Sequence, residues 1–359
     1  MGRRKSLREV VGLIKDKASQ SKALFSNPTT LPLHLAVLRA TAHSPHAPPQ
    51  EQHILDLLLL GDSSRATASA LIKSLMNRLH HTSNAAVALK CLIIIHHIIK
   101  RGPFILQDQL SIFPATGGRN YLNLSAFHDG STPSAWIFSN WVRYYARYLE
   151  TLLSTSRNLG FFLGSYSSTV EKDRQEERLS SFVNRDLIRE IDSLVGLMED
   201  ICKIPDNLHV KGVELLLGIT GFIGGDYLSV VKETVLRVIE FKERVGSMSF
   251  GQSVELTCAL KRLEDCRERM EKVIMIPVRK LSMETLWVLT EELKEIMVGF
   301  DGGGGGGKEG RKIDREKMMR TESARLENRF LDRDNAVKFN STRFGDSVKV
   351  SSNGFNFLL

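Results

Sequence analysis

The 359 residues carry a net charge of +8, with 42% apolar and 25% charged side chains, the balance of an ordinary globular protein long enough to bury a sizeable core. Residues 1–26 hold seven Lys/Arg against two acids, residues 301–359 twelve against nine, and the body between them thirty of each. A neutral body argues against a nucleic-acid binder, and the cations at the two ends suit contact with anionic lipid as well as with RNA.

In chain order, apolar residues at helical spacing predict helices over 5–23, 31–42, 52–61, 64–79, 84–101, 134–154, 182–201, 208–222, 226–244, 251–274 and 282–299, with almost no strand alternation. The first segment interleaves Arg3, Arg4, Lys5, Arg8, Lys15, Lys17 and Lys22 with Leu7, Val10, Val11, Leu13 and Ile14. Such a basic amphipathic helix either lies on anionic lipid or packs as the first helix of the fold. Asp62-Ser63-Ser64 and Thr82-Ser83-Asn84 supply helix starts, and Gly102-Pro103 a stop. Residues 84–101 are apolar nearly all round and so need cover on several sides. The hairpin at 208–274 has a heavily charged face around Lys261–Lys272, read as solvated. Gly302–Gly307 marks a flexible linker, and the polar tail after it is expected to be disordered, apart from a helix near 315–331.

No chemistry declares itself along the chain. Four dispersed cysteines, of which only Cys258 and Cys266 are close, fit neither a zinc site nor a redox pair and read as buried thiols in a reducing compartment. His96-His97 and His80-His81 are adjacent, about 100° apart on a helix, and cannot both face one metal, so neither a metal nor a cofactor is expected. The glycine run lacks the strand and the Gly-Lys-Ser/Thr of a phosphate loop, and no catalytic set stands out, so the chain does not read as an enzyme. Gly2-Arg3-Arg4-Lys5 precedes no apolar signal core, and the most apolar run, Cys91 to Ile99, is far shorter than the ~20 residues that span a bilayer. No transmembrane helix is expected.

Three segments carry a resemblance. They are Arg39-Ala40-Thr41-Ala42-His43 with Gln50-Glu51-Gln52-His53; Val87 to Leu92 through His96-His97 to Gly102; and Tyr121 to Phe127, Asp129, and Trp136 to Leu149. In this order and spacing, over about residues 5–299, the chain resembles the ANTH domain of clathrin-assembly proteins, especially the plant-type members of the ENTH/ANTH/VHS superfamily. The resemblance implies an all-α, right-handed α-superhelix over residues 1–300, with a longer C-terminal helical hairpin. It also implies binding of phosphatidylinositol 4,5-bisphosphate on a basic patch and recruitment of clathrin by the tail. The expected setting is the cytosolic face of coated pits and vesicles, with the Golgi a second location.

The family's lipid motif is a lysine near the end of one helix and Lys-x-Lys-His at the start of the next. Carried across, the resemblance assigns the head group to Arg39 and His53, with Lys5, Arg8 and Lys15 as supporting charges. Gln50 and Gln52 stand where the two later lysines belong. Two lost cations cost about 2 kcal/mol, roughly thirtyfold in affinity. The tail has no proline for Asn-Pro-Phe or Asp-Pro-Phe motifs but ends in the apolar Phe355-Asn356-Phe357-Leu358-Leu359. Asp56-Leu57-Leu58 resembles a dileucine peptide but reads as core. Two other readings predict different partners: a cargo adaptor gripping a SNARE helix through 208–274, and an RNA-binding helical repeat with a basic concave face.

Overall fold

A computed structural model describes residues 7–23, 30–44, 47–113, 122–165, 172–205, 213–269 and 277–301. These form α1 (Leu7–Ala23), α2 (Leu31–Ala40), α3 (Glu51–Asp62), α4 (Arg65–His81), α5 (Ala85–Arg101), α6 (Phe104–Ser111), α7 (Pro133–Leu159), α8 (Lys172–Ser181), α9 (Asn184–Ile201), α10 (Glu214–Arg244), α11 (Phe250–Asp265) and α12 (Pro277–Asp301). No strand occurs among the described residues, and the fold is an all-α solenoid. Successive helices pack on near neighbours in sequence: α2 on α3 and α4, α5 on α7, α7 on α9, and α9 on α10 and α11. The linker, the 315–331 helix and the terminal Phe355–Leu359 peptide lie outside the described residues.

The capping signals act where they were read. Ser64 accepts from the Thr67 amide at 3.1 Å and Asn84 from the Val87 amide at 3.0 Å, closing the starts of α4 and α5. Gly102 ends α5 because a Cβ there would strike the carbonyl of Ile98. Every residue of α5 from Ala85 to Lys100 is buried, as its continuous apolar surface requires. Leu57 and Leu58 are core residues, so the dileucine-like peptide is inaccessible.

Three expectations change. First, 208–222 and 226–244 join as one helix from Glu214. Ile219, Ile223, Tyr227 and Val230 form one buried stripe across the Gly224-Gly225 pair, and their packing outweighs a glycine cost of about 1 kcal/mol each. Second, the charged face of α11 is not simply solvated. Arg262 pairs with Glu199 at 2.8 Å and Asp192 at 2.5 Å on α9, while Glu264 and Arg267 pair with Lys294 and Glu291 on α12. Third, Glu214–Ser247 is long and apolar enough, by length and composition, to cross a membrane. Half of its apolar window is buried in the fold, and it carries the buried, paired Asp226, Glu233 and Arg237, which mark it as a core helix.

Candidate phosphoinositide site and the buried cluster behind it

The candidate site is built on the connection between α2 and α3. Arg39 lies in the last turn of α2, exposed to solvent and without an ion pair among the described residues. At the other end, Gln50 is the N-cap of α3 with an extended backbone and no side-chain cap, so the side chain leaves the first amides of α3 unanswered. Gln50 and Gln52 are exposed, and Gln52 is turned aside to donate to Asp56 at 3.0 Å. His53 is half-buried in the first turn. No hydrogen bond joins Arg39 to His53; what relates them is the clamped connection.

That clamp comes from residues outside the sequence motif. Lys90, buried in α5, donates from Nζ to the carbonyls of Ala42 and Ser44 at 2.8 Å and to Ser44 Oγ at 2.6 Å. Burial lowers its ammonium to about 8, and Asp16 opposes that fall. Arg78 of α4 reaches Thr41 Oγ1 and the Thr41 carbonyl, both at 3.3 Å. Asp16 of α1 accepts from the His43 amide at 2.9 Å and meets His43 Nδ1 at 2.5 Å. Burial would raise the Asp16 carboxyl, but the His43 hydrogen bonds and the nearby Arg78 hold it below its ordinary value. The cations at Lys90 and Arg78 thus satisfy carbonyls of the connection just past the end of α2.

The α3 start has a further charged neighbour. Glu51 is gripped by Arg101 of α5 at 2.6 and 3.3 Å, and Arg101 also contacts His97 Nδ1 at 2.5 Å. Burial, Arg101 and His96 push His97 down to about 3, so its ring is neutral and accepts. Glu51 therefore sets an anion among the first amides of α3, in the place where a phosphate would be favoured.

The first helix docks by a different face from its apolar stripe. Gly12 lies against His43, and Asp16 is buried, whereas Val11, Leu13 and Ile14 are 44%, 47% and 61% exposed beside exposed Lys15 and Lys17. Lys5 and the side chain of Arg8 lie outside the described residues.

A second cluster joins His96, Lys100, Tyr145 and Tyr148 of the resemblance-bearing segments to Asp226, which no sequence motif announced. Asp226 of α10 is fully buried, with His96 Nε2 and the donating Tyr148 hydroxyl at 2.8 and 2.6 Å, and Lys100 Nζ also on its carboxylate. His96 Nδ1 meets the Tyr145 hydroxyl at 2.8 Å. Burial would raise Asp226, but His96 and Lys100 hold it below its ordinary value. Gly164, at φ +65, lets the chain pass over Lys100, where any Cβ would strike Nζ. His96, Asp226, Tyr145 and Tyr148 are sealed from solvent, so the cluster joins α5, α7 and α10 and offers no route to a substrate.

The resemblance-bearing residues are thus largely scaffold. Asp129 accepts from the Ala85 amide at 2.9 Å and so caps α5 across the fold; Arg143 donates to the Phe127 carbonyl at 2.7 Å; Trp141, Tyr145, Tyr148 and Leu149 are core. Tyr121 lies outside the described residues. Among the described residues no group of three or more His, Cys, Asp or Glu could hold a metal. The expectation of buried thiols holds for Cys91 and Cys266 only: Cys202 is half-buried and Cys258 exposed, because the latter falls on the outer side of α11.

An all-α solenoid with an exposed arginine and an uncapped helix start at one connection defines the class of helical scaffold to which the comparisons then assign the chain. A family model described as the ANTH domain matches residues 32–210. The chain is 50% identical, over 96% of each sequence, to the Arabidopsis thaliana protein named "Putative clathrin assembly protein At4g40080". Two others of the same description are 30% identical over 79% of this chain and 84% of the relative (At5g10410), and 27% identical over 79% and 97% (At5g65370). The chain belongs to the ANTH-domain family, among its plant members.

Proposed function

We propose that the chain is a membrane-recruited endocytic adaptor that binds a phosphoinositide head group at the α2–α3 connection and promotes clathrin coat assembly. The observation that carries this reading is Arg39, exposed and with no ion pair among the described residues, one clamped connection away from the uncapped start of α3. The guanidinium matches a phosphate with two parallel donors, the α3 amides favour an anion, and His53 supplies a further donor from the same turn. Exposed Val11, Leu13 and Ile14 with Lys15 and Lys17 give α1 the composition of an interfacial helix, adding sequence-independent attraction to anionic lipid. The clathrin role rests on the names of the relatives, which are clathrin assembly proteins; the clathrin heavy chain as partner and the cytosolic face of coated pits as the place of work are what the family resemblance implies.

The test is vesicle pelleting with and without phosphatidylinositol 4,5-bisphosphate at matched surface charge. Wild type is expected to pellet more with the head group, and Arg39→Ala/His53→Ala to lose that difference. Equal pelleting of wild type on both vesicles would remove the head-group site from the reading.

A further inference from the structure

The two cysteines that sequence spacing does not pair are the two that the fold brings together. Cys202 is the C-cap of α9 and Cys266 the C-cap of α11, 64 residues later. The Cys202 thiol donates to the Cys266 carbonyl at 3.7 Å and also to the Cys266 sulfur, so the two thiols face each other. Packing of α9 on α11 holds them there, with Arg262 bridging to Glu199 and Asp192 along the same seam.

We propose that Cys202 and Cys266 form a reversible, peroxide-sensitive disulfide that ties the end of α9 to the end of α11. Three features suit the pair to this chemistry. The Cys202 hydrogen bond, against the opposing pull of burial, holds the Cys266 thiol below its ordinary range, and Arg269 lowers it further, which favours its thiolate. Cys202 is half-buried beside it, placed to resolve an oxidised partner. Both residues are helix C-caps, where the backbone can adjust more freely than in mid-helix.

The step balances with a hydroperoxide as the two-electron oxidant. The Cys266 thiolate attacks the terminal peroxide oxygen, the O–O bond breaks, and the departing alkoxide or hydroxide takes up a proton. The Cys202 sulfur, losing its proton, then attacks the Cys266 sulfenic sulfur and expels water. Two thiols and one hydroperoxide give one disulfide, one alcohol (water, for hydrogen peroxide) and one water. In a reducing compartment such a bond belongs to the transient, sensing kind.

The experiment treats reduced full-length protein with limiting hydrogen peroxide, blocks remaining thiols in denaturant, and maps the peptides by mass spectrometry. The expected result is loss of two of the four free thiols and a linked Cys202–Cys266 peptide that disappears on reduction. Cys91, raised by burial to about 12, stays blockable. Cys202→Ser should abolish the link and leave a sulfenic acid on Cys266 that a carbon nucleophile such as dimedone traps. Exposed Cys258 reports that oxidant reached the protein. If Cys258 is oxidised while Cys202 and Cys266 are recovered unlinked, whether blocked or over-oxidised, the proposal is overturned. Wild-type mapping decides the matter even if the serine variant does not fold.

Discussion

Glu51 shows how one carboxylate can set the strength of the α2–α3 site. It occupies the first turn of α3, between the two glutamines, and draws Arg101 to itself. On the proposed reading it competes with phosphate for the amides and for the only nearby guanidinium on α5 that the geometry supplies. Glu51→Gln removes the anion and frees Arg101, and a change of one charge beside an anionic membrane is worth about 1 kcal/mol, or roughly fivefold. Binding to vesicles containing phosphatidylinositol 4,5-bisphosphate should therefore tighten roughly fivefold, measured by pelleting or surface plasmon resonance. Arg39→Ala should weaken it by a similar factor with no change in helicity, because Arg39 is exposed. A Glu51→Gln variant that binds no better would mean that the anion at α3 has no competitor to displace.

At the scale of the element, α10 is where sequence and structure part most instructively. The stretch 223–225, with Gly224 and Gly225, reads as a break, but Asp226 is pinned by α5 and α7 within the same turn, and that tertiary tie overrides local propensity. The short α6 and the polar α8 escaped the periodicity reading for the opposite reason. Eight residues give too few repeats for α6, and α8 has only Leu179 as a buried apolar anchor among its described side chains. By contrast α4 and α5 were legible because their caps and apolar spacing agree with what they bury, and α3 and α9 because of their apolar spacing alone. The positions of Arg39 and His53 were legible through resemblance, whereas the clamp of Asp16, Arg78 and Lys90 was not. Ion pairs and carbonyl contacts across 27 to 48 residues leave no local pattern.

The Asp226 tie gives α10 its own prediction. Asp226→Asn leaves the Lys100 ammonium buried without its anion, and breaking a buried pair on one side costs about 3–5 kcal/mol. The urea midpoint should fall accordingly, with the slope unchanged. The pH sign follows from a carboxyl held below its ordinary value in the folded state. Its stabilisation is fully present above the unfolded carboxyl value and is lost as pH falls through the lower folded one. Wild type should thus lose stability on the acid limb more steeply than Asp226→Asn, and parallel acid limbs would show that the carboxylate contributes nothing there.

Across the whole molecule the excess charge lies outside a neutral body, most of it on the first segment and the rest after residue 300, and body and first segment should act on membranes in different ways. The body offers few cations at the candidate site, so its contribution depends on recognising a head group. The first segment has five excess positive charges over residues 1–26, and such attraction depends on surface potential and fades over a Debye length of about 8 Å at physiological salt. Replacing Arg3, Arg4 and Lys5 by glutamine should lower binding to every anionic vesicle by a similar factor and flatten its salt dependence. The ratio of binding with and without phosphatidylinositol 4,5-bisphosphate should stay near the wild-type value. Arg39→Ala should do the reverse, reducing the ratio while leaving most of the salt dependence in place. Measured by titrating salt from 50 to 300 mM, roughly a sixfold range that shortens the Debye length by a factor of about 2.5, the two variants should separate on different axes. If both move the same axis, head-group recognition and general charge attraction are one interaction, and the clamped α2–α3 connection has no selectivity of its own.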